Sequence, residues 1–107
     1  MYYRVSNGGT VTTGSTTVAG ATVSGTSSVT KKTTITVPSG SKFLCCGITS
    51  HSTSGGNHNE SSYTSTTCSG SISGTTLTIS VTYKGDADWQ RATQRTFGTT
   101  TVVYAYQ

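Results

Sequence analysis

From Thr76 to Tyr83 the chain reads Thr-Leu-Thr-Ile-Ser-Val-Thr-Tyr, apolar and hydroxyl residues alternating without a break. Successive side chains on a β-strand point to opposite faces. A period of two therefore puts Leu77, Ile79, Val81 and Tyr83 on one face, and Thr78, Ser80 and Thr82 on the other. Cys68 to Ile72 lies just upstream, and Ser73-Gly74-Thr75 between the two runs has turn chemistry, so the pair predicts a hairpin. Thr100 to Tyr106 predicts another strand, with Val102, Tyr104 and Tyr106 alternating with Val103 and Ala105. Little chain follows to cover its edge, so it is expected either inside a sheet or against another subunit.

These strands have little apolar material to bury. Of 107 residues, 31% are hydrophobic and 9% charged, against roughly 45–50% and about 25% in ordinary soluble domains. Ser, Thr and Gly make up about half of the chain. One thin-cored domain over 1–107 is expected, helped by a covalent staple or by burial against a neighbour. Disorder is not the expectation, because the net charge is only +4 and Thr, Val and Tyr are plentiful. The basic balance comes from few charges, and Lys31-Lys32 is the one adjacent cationic pair. Nucleic-acid binders cluster their cations along one face, so none is expected as a partner. No run approaches the roughly 20 apolar residues of a membrane span. Met1-Tyr2-Tyr3-Arg4 opens no apolar signal segment, which leads us to expect synthesis in a cytoplasm.

In the first third, Thr/Ser-Val pairs recur near Val11, Val18, Val23 and Val29, mostly punctuated by Gly. That pattern suits short strands with tight turns or solenoid-like rungs. Lys32 to Val37 predicts a strand ended by Pro38-Ser39-Gly40, and Lys42 to Thr49 a strand buried on both faces. The polar, Gly-rich stretch 50–62 predicts a surface loop long enough to be functional. Gly85 to Arg95 reads either as a helix capped by Asp86 or as strand and extended loop, with the balance toward the latter.

Candidate chemistry concentrates in and around that loop. His51, Asn57, His58, Tyr63 and Trp89 are the candidate binding residues, since Tyr and Trp stack on sugar rings and form interface anchors. The spacing Cys46-x4-His51-x6-His58-x9-Cys68 lacks the tight Cys-x2–4-Cys pairs of structural zinc, so no metal is assigned. Cys45 and Cys46 point to opposite faces of a strand, and one of them could form a disulfide with Cys68 in an oxidising setting. The alternative is buried free thiols acting as small apolar residues. A Cys–His nucleophile would have to draw its orienting acid from Glu60, Asp86 or Asp88, with no local motif. No phosphate loop is present either. No catalytic residue and no cofactor are therefore assigned. Asn59-Glu60-Ser61 fits the glycosylation triplet, which carries weight only in a secreted chain. The Thr doublets and triplets, such as Thr99-Thr100-Thr101, are not evenly spaced, which argues against a ruled Thr surface of the ice-binding kind.

The opening Met1-Tyr2-Tyr3-Arg4-Val5-Ser6-Asn7-Gly8-Gly9, the run Ser73 to Val81 and the closing Thr101 to Tyr106, joined by Thr/Ser/Gly strands, resemble small structural proteins of tailed bacteriophages and prophages. The resemblance runs over the whole chain and carries no functional residue with it. It implies an antiparallel β-sandwich of short strands, jelly-roll or Ig-like, that decorates capsids or builds tail tips and fibres as a symmetric oligomer. The expected function is thus a structural subunit of a virion or extracellular filament, partnered by its own copies and other particle proteins. The alternative is a module that binds a surface glycan or receptor through 50–62.

Overall fold

The alternating run becomes the middle strand of a sheet that forms one side of the core. The computed structural model describes residues 10–24, 27–55, 63–86 and 94–107. Among these it has no helix, and its strands are β1 (Thr12–Val18), β2 (Ala21–Ser24), β3 (Ser28–Thr36), β4 (Phe43–Ser50), β5 (Thr53–Gly55), β6 (Tyr63–Ser73), β7 (Thr76–Asp86), β8 (Gln94–Phe97) and β9 (Thr100–Tyr106). All strand pairings are antiparallel, in three sheets ordered β1-β9-β4, β2-β8-β5 and β3-β7-β6. The first two sheets use the same three chain segments in the same order. Each segment is interrupted once, at 19–20, 51–52 and 98–99.

The predicted hairpin is β6–β7, each strand 11 residues long, turning at Gly74 with φ 63°. A positive φ there is cheap only for glycine. These strands are longer than the short ones expected from the sequence. Leu77, Ile79, Val81 and Tyr83 are fully buried, and they share one core with Val18, Val23, Val37, Phe97 and Val102 from the other two sheets and the end of β3. The architecture is therefore sandwich-like: β3-β7-β6 covers the paired sheets β1-β9-β4 and β2-β8-β5.

The interruptions have a stereochemical cause. A Cβ on Gly20 would land on the Phe97 carbonyl oxygen, and one on Gly98 would land on Ser52 Oγ. Only bare backbone permits the three segments to approach this closely. Gly98 N–H donates to Ser52 O at 3.1 Å across the break. Tyr83 reaches the same line from the opposite sheet. Its hydroxyl donates to Ala19 O at 2.9 Å and accepts from Thr100 Oγ1 at 2.8 Å, while its ring lies 4.9 Å from that of Phe97. Thr100, fully buried, is thereby satisfied.

Several expectations change. The first third is not a solenoid: β1 pairs with β9, β2 with β8 and β3 with β7, so each strand's partner lies far along the chain. The strand at Lys32–Val37 begins earlier, at Ser28. The segment Lys42–Thr49 is not buried on both faces. Its strand β4 lies at a sheet margin, paired among the described residues with β9 alone, and Leu44 and Cys45 are exposed. A bulge between Phe43 and Cys45 inserts Leu44. The closing strand β9 lies between β1 and β4, which meets the need to cover its edges within the chain. Within 86–96, Asp86 ends β7 and Gln94 begins β8, while 87–93 lie outside the described residues.

Candidate functional site

Of the loop residues singled out from sequence, His51 is exposed in the break between β4 and β5, and Tyr63 opens β6 opposite Asp86. Thr53–Gly55 within the supposed loop forms strand β5. Asn57, His58, Glu60, Asp88 and Trp89 lie outside the described residues. Among the described residues, no group of three or more His, Cys, Asp or Glu side chains is placed to hold a metal ion. No helix among them is long and apolar enough to cross a membrane.

The cysteines are sorted by the strand pleat. Cys45 pairs with Ala105 and is exposed on the outer face of β1-β9-β4. Cys46 pairs with Tyr104 and turns toward the interior. Cys68 pairs with Val81, whose side chain is in the core, so it shares the inner face of β3-β7-β6. The margins β4 and β6 are thus brought together, and Cys46 Sγ–H donates to Cys68 Sγ at 3.1 Å. Burial, then the bond to Cys68 and the neighbouring thiolates, pushes the Cys46 thiol up from 9.0 to about 12. The two margins also meet at Phe43, whose ring occupies the space a Cβ on Gly70 would need.

The two outer faces differ. On β3-β7-β6, registry lines up Thr30, Thr82 and Thr67 in one row, Lys32, Ser80 and Ser69 in the next, then Thr34, Thr78 and Ser71, then Thr36, Thr76 and Ser73. Every residue in these rows except Lys32 is Ser or Thr, and Thr30 Oγ1 and Thr82 Oγ1 are hydrogen-bonded at 2.9 Å. Rows repeat about every 7 Å along the strands, with columns about 4.8 Å apart. A ruled hydroxyl face therefore exists, mixed from Ser and Thr with Lys32 among them rather than an array of Thr alone. Its middle column, Thr78, Ser80 and Thr82, follows from the alternation in the sequence, whereas the rows across the sheet arise only from pairing with β3 and β6. The outer face of β1-β9-β4 is less polar. Leu44 is 43% and Val103 40% exposed. A shallow pocket of about 350 Å³ is lined there by Thr13, Cys45, Gly47, Val103 and Ala105 together with Cys46 and Tyr104.

No family model, curated protein or solved structure matches the chain.

Proposed function

We propose that this chain is a structural subunit of a phage-like virion or extracellular filament, made inside a cell and assembled through β-sheet contacts. The observation that carries the reading is the margin strand β6. Tyr63–Ser73 is 11 residues long, without charge or proline, and among the described residues only β7 pairs with it. Isolated proteins blunt such margins, because unpaired N–H and C=O groups recruit other strands. The opposite margin, β3, carries Lys31 and Lys32. An unguarded β6 suits strand addition by a second copy or another particle protein. Successive segments switch between the two layers except at the β6–β7 hairpin, and on that path we favour the jelly-roll over the Ig-like arrangement.

Sedimentation of the purified chain at micromolar concentration tests this. An oligomer that dissociates on Thr67→Lys with Ser71→Lys, without loss of strand signal in circular dichroism, is expected. A heat-stable wild-type monomer opposes it.

A second reading gains support from the ruled hydroxyl face. Glycan binding, expected on 50–62, is better served by Thr34, Thr78 and Ser71, whose exposed rows offer matched donors and acceptors. Loss of glycan-array binding on replacing all three with Ala, with no loss on deleting 56–60, is the expected pattern for this reading.

A further inference from the structure

We propose that Cys46 and Cys68 form a disulfide under oxidising conditions, and that this bond staples the two layers together along the β4/β6 margin. Cys45 is excluded from it. The assignment rests on three placements. Cys46 and Cys68 occupy inward positions on facing strands of different sheets, and their sulfurs are 3.1 Å apart. Cys45, one residue from Cys46, is turned to the outer face and exposed. Finally, Gly70 lets the Phe43 ring settle against β6, two residues from Cys68, holding the margins close enough for short side chains to meet. The sulfurs need approach by only about 1 Å to reach the ~2.0 Å of a disulfide.

Any low-molecular-weight disulfide, such as oxidised glutathione, can serve as the oxidant. One protein thiolate attacks it, forming a mixed disulfide and releasing one reduced thiol. The other protein sulfur then attacks the protein-side sulfur of the mixed disulfide, closing the Cys46–Cys68 bond and releasing a second reduced thiol. The two cysteines lose two protons and two electrons, and the oxidant gains both pairs as two thiols. The elevated Cys46 pKa leaves little thiolate on that residue at neutral pH, so bond formation speeds up as pH rises.

The bond would covalently join layers that otherwise meet through side-chain packing and the Tyr83 hydrogen bonds, in a chain with a thin core. It would form only after the protein leaves a reducing compartment. The bond joins inward side chains and leaves the outer edge of β6 as it was.

The test uses Cys45→Ser, which retains only the proposed pair, equilibrated with glutathione mixtures of graded poise. Intact mass and thiol titration in denaturant read the product. Cys45→Ser is expected to lose both titratable thiols as a monomer, and its melting midpoint to exceed that of the reduced form by on the order of 10–20 °C. Cys46→Ser and Cys68→Ser should form no internal bond and pick up glutathione instead. Gly70→Ala on the Cys45→Ser background, which pushes the Phe43 contact apart, should require a more oxidising mixture, while folding is checked by circular dichroism. If both thiols of Cys45→Ser persist in excess oxidised glutathione, or peptide mapping of the wild type shows Cys45 bonded to Cys68, the pairing is wrong. A bond that forms with no gain in melting midpoint overturns the stapling role.

Discussion

Replacing Tyr83 with Phe removes one oxygen atom from the point where all three sheets meet. That oxygen donates to Ala19 O at 2.9 Å and accepts from Thr100 Oγ1 at 2.8 Å, while a third carbonyl, Val18 O, lies at 3.5 Å and contributes little. Ala19 is exposed and its carbonyl can turn to water, but Thr100 is fully buried and loses its only hydroxyl partner. The Phe ring fills the same space and keeps the contact with Phe97, so no cavity term enters. The loss is then one net hydrogen bond plus an orphaned hydroxyl, together about 1–3 kcal/mol. For a domain of this size that lowers the melting midpoint by on the order of 10 °C. Urea denaturation should give a lower midpoint with an unchanged slope, because the native surface is unchanged. Thr100→Val removes the orphan, so Tyr83→Phe combined with Thr100→Val should cost less than the sum of the single changes. A Tyr83→Phe protein within about 0.5 kcal/mol of wild type, or strict additivity in the double variant, refutes the claim that this hydroxyl locks the break.

Gly20→Ala drives a methyl onto the Phe97 carbonyl, which is backbone and cannot rotate aside, so a loss of about 1–3 kcal/mol or more is expected by thermal melting. Val81→Thr and Thr78→Val sit on one strand with opposite outcomes. The first buries a hydroxyl with no partner and costs about 1–3 kcal/mol in urea titration. The second faces the hydroxyl rows and stays within about 0.5 kcal/mol. Reduced protein should lose stability as pH rises. The Cys46 thiol keeps its proton in the folded chain up to about 12 but ionises near 9.0 when unfolded. The contribution is therefore complete below 9.0 and lost between 9.0 and about 12. Alkaline urea midpoints of Cys46→Ser should fall less steeply than those of wild type, and an identical slope would count against this.

The sequence alone determined the β class, the β6–β7 hairpin and the inward face of β7, because side-chain alternation is a local signal that the pleat translates directly. The closing strand β9 was legible for the same reason. The sequence also left Cys45 or Cys46 as the possible partner of Cys68, beside free thiols, since neighbouring residues cannot share a face. Only the tertiary structure brought Cys46 rather than Cys45 beside Cys68, because that depends on which face of β4 meets β6, a contact between sheets. The hydroxyl rows escaped linear reading because each row draws one residue from each of three strands. The broken segments of β1–β2, β4–β5 and β9–β8 were equally hidden. Gly20 read as ordinary turn punctuation until the Phe97 carbonyl was placed where its missing side chain would be. Local chemistry set which residues could face inward. Packing between distant strands decided which of them meet.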